Sequence, residues 1–221
     1  LPILNVGGLQ LFTQSWNKSA EELNYSAKEL AKLLGSIYLI FTFIIFILLY
    51  FSGLLVFDAL CHAMTTIATG GFSTHSSSIS FYDSILVETI IIIGMLIASL
   101  PFTLYLSTLR KNYSLLKDSQ VIMFLSLVVF FTTVLTIWIY YENNFDIYTA
   151  FRLSIFNGIS LMTGTGYSTA NFSDWGTFST SLLLFMMLLG GCTGSTTGGI
   201  KIFRINVLFL ILYKELRRIK S

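Results

Sequence analysis

The feature that most limits the fold of this chain is a polar, glycine-bearing run that occurs twice between apolar segments long enough to cross a membrane. The first copy lies at residues 65–74 and the second at 161–169, and both contain glycine followed by an aromatic residue, serine and threonine. The glycines before the aromatic residues, Gly71 and Gly166, are 95 residues apart (166 minus 71). Because each copy follows a short apolar segment and precedes a long one, the sequence indicates a repeated unit.

The two runs are too polar and too rich in glycine to form helices that face lipid, because an unsatisfied backbone group in hydrocarbon costs several kcal/mol. Irregular backbone survives at that depth only where it is buried in protein or lines a watery path. Glycine allows successive carbonyls to point the same way, and a ring of carbonyls can replace the hydration shell of a monovalent cation. The runs therefore predict an ion filter.

Composition identifies an integral membrane protein. Hydrophobic residues make up 54% of the sequence, charged residues 11%, and the mean hydropathy is +0.77, whereas soluble domains carry roughly 25% charge. Cys61 and Cys192 lie in apolar surroundings, which argues against a disulfide or metal framework. No nucleophile–base pair or metal-ligand set is recognisable, so we predict that the chain is not an enzyme and holds no covalent cofactor.

The order of segments predicts an all-α membrane protein made of helix–pore-helix–filter–helix units, a potassium-channel-like architecture. Residues 1–14 are interpreted as the tail of a preceding membrane helix, so we expect a fragment of a longer protein. A polar cytoplasmic connector is predicted at 15–32. The first complete unit is predicted at 33–111 and the second at 117–221, where the last helix is broken.

Each unit contains a segment too short to cross the bilayer. These segments, 59–66 and 147–160, precede the two runs, and the first reaches only about half the bilayer thickness at 1.5 Å rise per residue. Asp58 and Asp146 lie at their starts, where an aspartate can cap free amides, and the far end of such a helix favours a cation. Longer spans are predicted at 33–51, at 85–109 with a kink at Pro101, at 121–141 and at 178–213.

Residues 190–199 interrupt the last span and contain five glycines. Each glycine in a helix interior costs about 1 kcal/mol relative to alanine, so the segment predicts a hinge or plug within the membrane. A phosphate-binding loop is disfavoured, because the Gly-Lys-Ser/Thr ending is absent and no strand of a soluble unit precedes the segment.

Charge placement agrees with two span–loop–span units. With the connector, the loop after residue 109 and the final segment in the cytoplasm, the inner side holds twelve of the thirteen basic residues. They are Lys18, Lys28, Lys32, Arg110, Lys111, Lys117, Lys201, Arg204, Lys214, Arg217, Arg218 and Lys220. Arg152 remains outside with Asp58, Asp83, Glu88, Glu142, Asp146 and Asp174. The distribution follows the positive-inside rule, and an anionic outer mouth concentrates cations.

Three segments carry a resemblance to a known family: LPILNVGGLQL at 1–11, ATGGFSTH at 68–75 and GGCTGSTTGGIK at 190–201. They resemble the Trk, Ktr and HKT superfamily of potassium uptake proteins, and within it the TrkH-type membrane subunit most closely. One chain of that family carries four helix–pore-helix repeats around a single pore. The resemblance implies that this chain covers the end of the first repeat and the complete second and third.

The resemblance also implies roles for individual residues. The filter residues it implies are Ile67, Ala68, Thr69, Gly70 and Gly71 in one strand and Met162, Thr163, Gly164, Thr165 and Gly166 in the other. The intramembrane gate loop it implies contains Gly190, Gly191, Gly194, Ser195, Thr196, Thr197, Gly198, Gly199 and Lys201. The sequence departs from the family at Gly164-Thr165-Gly166, where a hydroxyl residue followed by alanine is more usual before the glycine. Only two of the four filter strands are present.

By the same resemblance, we expect potassium uptake across the cytoplasmic (inner) membrane, with K⁺ as substrate held by filter carbonyls. The implied partners are the lipid bilayer, a second copy of the chain in a homodimer, and a cytosolic nucleotide-binding regulatory subunit; no nucleic acid is expected. Three alternatives remain: a sodium-selective or sodium-coupled transporter of the same fold, a secondary transporter with broken helices, and a non-transporting scaffold.

Four charged or titratable residues have alternative interpretations. We interpret His62 and His75 as structural histidines rather than as metal ligands or pH sensors. Arg152 is expected to reach the membrane interface, or else to form an electrostatic barrier in the ion path. Lys201 either holds the gate loop through its carbonyls or an acidic partner, or anchors the helix at the cytoplasmic surface.

Overall fold

The structure is a computed structural model that describes residues 27–109 and 118–220, and within these ranges all regular secondary structure is helical. The α-helices are α1 (Ala27–Phe51), α2 (Val56–Ile67), α3 (Ile85–Ser99), α4 (Phe102–Leu109), α5 (Ser119–Asn143), α6 (Ile147–Met162), α7 (Gly176–Leu189) and α8 (Ile202–Lys220). Short 3-10 helices lie at Ser78–Phe81 and Phe172–Trp175. The predicted tail 1–14, most of the connector 15–32, and Arg110, Lys111 and Lys117 lie outside the described residues.

Three described helices are long and apolar enough to cross a membrane: Lys28–Phe51, Ser119–Asn143 and Phe172–Leu189. A fourth crossing is provided if α3 and α4 form one span, since the pair passes the same test but bends by 89°. Helix α1 begins at Ala27 rather than at residue 33, so the end of the predicted connector is helical. Its surface exposes large apolar side chains such as Phe43 and Phe51, as expected where lipid is the solvent. The chain is a multi-pass membrane protein.

The two short helices differ in how they begin. Asp146 caps α6, because its carboxylate accepts a hydrogen bond from the Thr149 amide at 3.2 Å. The hydrogen bonds from the Thr149 side chain and amide hold the pKa of Asp146 below its usual value. The predicted cap at Asp58 is wrong: α2 begins at Val56, and Leu55 occupies the capping position with no side-chain hydrogen bond. Asp58 lies in the first turn, with its carboxylate 3.4 Å from Nε2 of His75.

The predicted kink at Pro101 is confirmed by the 89° bend between α3 and α4. Proline has no amide hydrogen to donate to the carbonyl four residues earlier, which here belongs to Ile97. The hydroxyl of Tyr105, on the first turns of α4, donates to that carbonyl at 2.9 Å. The Ile97 carbonyl thus accepts hydrogen bonds from both the Tyr105 side chain and the Leu100 amide, the latter at 3.3 Å, and stays paired at the kink.

The glycine-rich segment satisfies further backbone groups at the same kink. The Cys192 amide donates to the Ser99 carbonyl at 3.0 Å, and the Phe102 amide donates to the Gly194 carbonyl at 3.0 Å. A buried peptide group without a partner is costly, and both breaks release such groups. The kink and the glycine-rich segment therefore depend on each other.

A charged cluster joins the two units. The Arg152 guanidinium on α6 donates from Nε to one Glu88 carboxylate oxygen at 2.8 Å and from Nη2 to the other at 2.9 Å. Nη2 also contacts Asp83 at 3.2 Å. The Glu88 side chain, on α3, is only 6% exposed, whereas that of Arg152 is 25% exposed. Neither hypothesis for Arg152 included this bidentate ion pair. The pair holds α6 of the second unit against α3 of the first.

We expect Arg152→Met to lower the free energy of unfolding by about 3 kcal/mol, because it leaves the Glu88 carboxylate buried without its cation. The value is at the lower end of the range for buried pairs, since Arg152 is partly exposed. Denaturant unfolding of the purified protein in detergent measures the change.

Arg204→Met is the matched control, since Arg204 is exposed, and it should change the unfolding free energy little. Adding Glu88→Gln to Arg152→Met should recover part of the loss. An equal cost for the two arginine variants would contradict the structural role of the pair.

Candidate ion-conducting site

The two glycine runs leave the ends of α2 and α6 and meet each other. Gly71 has φ +67°, and a Cβ atom at this position would overlap the carbonyl oxygen of Thr165 and lie 3.3 Å from the carbonyl carbon of Gly166. Only glycine fits at Gly71, both because of the positive φ and because the neighbouring backbone lies so close. The structure therefore places the end of the first predicted filter strand directly against the end of the second.

Within each run, threonine side chains are buried while the glycine backbone is exposed. Thr69 and Thr165 are buried, but Gly70, Gly164 and Gly166 are open on one side. The Thr165 hydroxyl lies 2.7 Å from that of Thr163, so these side chains satisfy each other within the protein. The exposed part of each run is therefore mainly glycine backbone, whereas the threonine side chains lie within the protein.

The helix before each run is tied to the chain after it by equivalent hydrogen bonds. Thr65 Oγ1 donates to the Phe72 carbonyl at 3.0 Å, and Ser160 Oγ, 95 positions later, donates to the Tyr167 carbonyl at 2.7 Å. A hydroxyl residue one turn from the end of each short helix thus holds the aromatic residue that follows the run. The sequence repeat is a structural repeat in the same chain direction.

A second equivalent pair supports the same two helices. His62 contacts the Asp58 carbonyl through Nδ1 at 2.7 Å and the Ser73 hydroxyl through Nε2 at 2.9 Å. Asn157, again 95 positions later, donates from Nδ2 to the carbonyl one turn earlier at 2.8 Å and to the Thr169 hydroxyl at 2.8 Å. Both ring nitrogens of His62 therefore have hydrogen-bond partners, as predicted for a structural histidine. In the second unit, the side-chain amide of Asn157 takes the place of this ring.

Tyr167 connects the two units behind the runs. Its ring is fully buried, and its hydroxyl lies 2.5 Å from Thr65 Oγ1 and 3.3 Å from the His62 carbonyl oxygen. The equivalent aromatic residue of the first unit, Phe72, is 77% exposed. The second run is thus held on the first short helix, whereas Phe72 has no such helix beside it among the described residues.

Residues 190–201, hereafter the glycine loop, lie against both runs. The Thr196 hydroxyl is 2.9 Å from the carbonyl oxygen of Ile67, the last residue of α2, and the Thr196 carbonyl accepts a hydrogen bond from Thr69 at 3.0 Å. On the other run, a Cβ atom at Gly164 would lie 3.7 Å from the amide nitrogen of Gly198. The loop therefore contacts the first run at Ile67 and Thr69 and the second at Gly164, one residue before the Thr165 carbonyl that meets Gly71.

The two ends of the glycine loop are held together. A Cβ atom at Gly190 would overlap the Gly198 carbonyl oxygen, so the two ends of the loop approach as closely as backbone allows. Thr197 Oγ1 accepts a hydrogen bond from the Gly191 amide at 3.1 Å and lies 2.7 Å from the Ser195 hydroxyl. Lys201 donates from Nζ to the Thr197 carbonyl and hydroxyl. Of the two hypotheses for Lys201, its contacts fit the one that holds the loop.

Within residues 27–109 and 118–220, no group of three or more His, Cys, Asp or Glu side chains is arranged to hold a metal ion. The His75 ring stacks on Phe81 with centroids 3.6 Å apart, in addition to its contact with Asp58.

Sequence reasoning missed two features of the site. The sequence marks Tyr167 only as part of the second motif, and nothing local places its ring on the first short helix, since the equivalent Phe72 is exposed. The pairing of Arg152 with Glu88 leaves no local signal, because the residues are 64 positions apart and belong to different units.

Comparison with known proteins agrees with this geometry. A family model described as TrkH, cation transport protein, matches residues 21–221. The chain is 33% identical to the Trk system potassium uptake protein TrkH of Vibrio parahaemolyticus and 35% identical to that of Salmonella typhimurium, in each case over 99% of the chain. It is 36% identical to the Trk system potassium uptake protein TrkI of Halomonas elongata over 98% of the chain.

A solved structure is similar as well. The crystal structure of the potassium transporter TrkH from Vibrio parahaemolyticus superposes with a TM-score of 0.83 at 34% identity, covering 87% of this chain and 42% of that one. The chain covers 47%, 46% and 44% of the three curated relatives named above, so it spans just under half their length. The match to the family model over nearly all of its residues shows that the chain belongs to the TrkH family of cation transport proteins.

Proposed function

We propose that this chain supplies two of the filter strands of a potassium uptake pore, with Ile67 to Gly71 in one strand and Met162 to Gly166 in the other. The observation that carries the proposal is the contact of the two glycine runs at Gly71 and Thr165, beside the exposed glycines Gly70, Gly164 and Gly166. Backbone carbonyls placed in this way can exchange for the water around K⁺. The relatives are named for potassium uptake, which favours potassium over sodium.

The glycine loop acts as the gate in this proposal. It contacts both runs, through Thr196 at Ile67 and through Gly198 at Gly164, and Lys201 donates a hydrogen bond to Thr197 within the loop. Opening requires the loop to move away from the runs, and its five glycines permit the backbone change.

Two strands do not enclose a pore, so we propose that further units complete the ring. The exposure of Phe72 supports this proposal, since the equivalent Tyr167 is fully buried against a neighbouring short helix. The cytoplasmic membrane as the location, a homodimer and a cytosolic nucleotide-binding regulatory subunit are proposed on the sequence resemblance.

The filter is tested with Gly71→Ala in the complete gene, expressed in cells that lack their own potassium uptake systems. We expect rubidium uptake to fall by at least about tenfold, because the added methyl group overlaps the Thr165 backbone and the positive φ is unfavourable for alanine. Immunoblots of the membrane fraction check the amount of inserted protein.

Gly35→Ala is the matched control, because no atom lies within 4 Å of a Cβ placed there and no positive φ is required. Its uptake should match the wild type. Normal uptake by inserted Gly71→Ala protein would overturn the filter assignment, and uptake of sodium in preference to rubidium by the wild type would favour the sodium-selective alternative.

Lys201 variants separate the two hypotheses for this residue. If its ammonium group holds the glycine loop, both Lys201→Met and Lys201→Arg should raise uptake at low rubidium concentration, Lys201→Met by about tenfold, as expected for the loss of hydrogen bonds from a charged donor. If Lys201 is only a surface anchor, Lys201→Arg should behave as the wild type because it retains the charge. Uptake is compared at equal amounts of inserted protein.

A further inference from the structure

Thr196 lies where the glycine loop, the first filter strand and the end of α3 come together. Its hydroxyl is 2.9 Å from the carbonyl oxygen of Ile67 and 3.1 Å from that of Ala98. Its carbonyl accepts a hydrogen bond from the Thr69 hydroxyl at 3.0 Å. Thr196 therefore contacts the first filter strand twice, through its hydroxyl and its carbonyl. Its hydroxyl also contacts α3, the helix before the Pro101 kink.

The Thr196 hydroxyl lies within hydrogen-bonding distance of two carbonyl acceptors, those of Ile67 and Ala98. A threonine hydroxyl carries a single proton, so it donates to one of the two carbonyls at a time. The Ala98 carbonyl already accepts a hydrogen bond from the Thr196 amide at 3.3 Å. The Ile67 carbonyl belongs to the last turn of α2, where helix carbonyls lack intrahelical donors. The hydroxyl therefore contributes most when it donates to Ile67.

The Ile67 carbonyl is also the innermost oxygen that the proposed function assigns to the ion. We propose that Thr196 is a positioning residue that latches the glycine loop to the first filter strand, and that its hydroxyl and a potassium ion compete for the Ile67 carbonyl. The inference rests on the proposed function. Because competition is reciprocal, an ion at the inner end of the filter weakens the latch, and a closed latch weakens ion binding there.

The competition predicts a specific change in the concentration dependence of uptake. Thr196→Val keeps the shape of the side chain and removes the donor. We expect the rubidium concentration for half-maximal uptake to fall by about fivefold, the equivalent of one neutral hydrogen bond, while the maximal rate stays at or above that of the wild type. The measurement is rubidium uptake by the complete gene product in cells without other potassium uptake systems.

Two further variants serve as controls. Thr196→Ser retains the hydroxyl and should restore the wild-type half-saturating concentration. Thr133→Val makes the same change on α5, away from the loop and the runs, where the exposed Thr133 hydroxyl donates to the Val129 carbonyl of its own helix at 2.7 Å. Its concentration dependence should not change.

The latch would be overturned if Thr196→Val left the half-saturating rubidium concentration unchanged, or if Thr196→Ser shifted it equally. Either result would leave the proposed function in place, since the wild type still transports. If Thr196→Val does not insert, Thr196→Ala removes the same donor and must give the same shift. Failure of both to insert while Thr133→Val inserts would assign the hydroxyl to folding alone and overturn the latch. Absence of uptake by the wild type would overturn the proposed function and the latch together.

Discussion

The structure depends on satisfying backbone groups at places where helices break inside a membrane. Hydrocarbon offers no hydrogen bonds, so each peptide group released by Pro101 or by the glycine loop needs a partner within the protein. The chain meets this requirement by placing the two breaks against each other, with loop amides donating to the carbonyls of Ala98 and Ser99 and with the Phe102 amide donating to Gly194. The loop has no regular secondary structure, but many of its backbone groups are hydrogen-bonded. This hydrogen bonding is compatible with a defined position of the loop.

The same placement links the glycine loop to the first run. The α3 carbonyls that hold the loop lie beside the start of that run, and Thr196 contacts both. A change at the kink can therefore reach the first run through one residue rather than through a long chain of contacts. The proposed gate and the proposed filter strand would be joined by this short connection.

The two units share a framework but differ at positions that matter for assembly. Thr65 and Ser160 make the same contact, and His62 and Asn157 each contact a hydroxyl of the chain after the run, because both short helices must hold the chain that leaves the following run. Tyr167 is buried and Phe72 is exposed, because the described chain contains a neighbouring short helix for the second unit only. The exposed ring marks the side of the first unit on which a further unit is proposed.

The sequence by itself determined the membrane class, the order of spans and short helices, the 95-residue repeat, the Pro101 kink and the position of the helix break at 190–199. These follow from local properties: apolar length, glycine content and the missing amide of proline. Only the tertiary structure decided that Gly71 touches Thr165, that Arg152 pairs with Glu88, that Asp58 does not cap its helix, and that Thr196 reaches Ile67. The three contacts depend on how segments far apart in the chain pack together, and the cap depends on the exact residue at which the helix begins. The local pattern of residues specifies neither the long-range packing nor that exact residue.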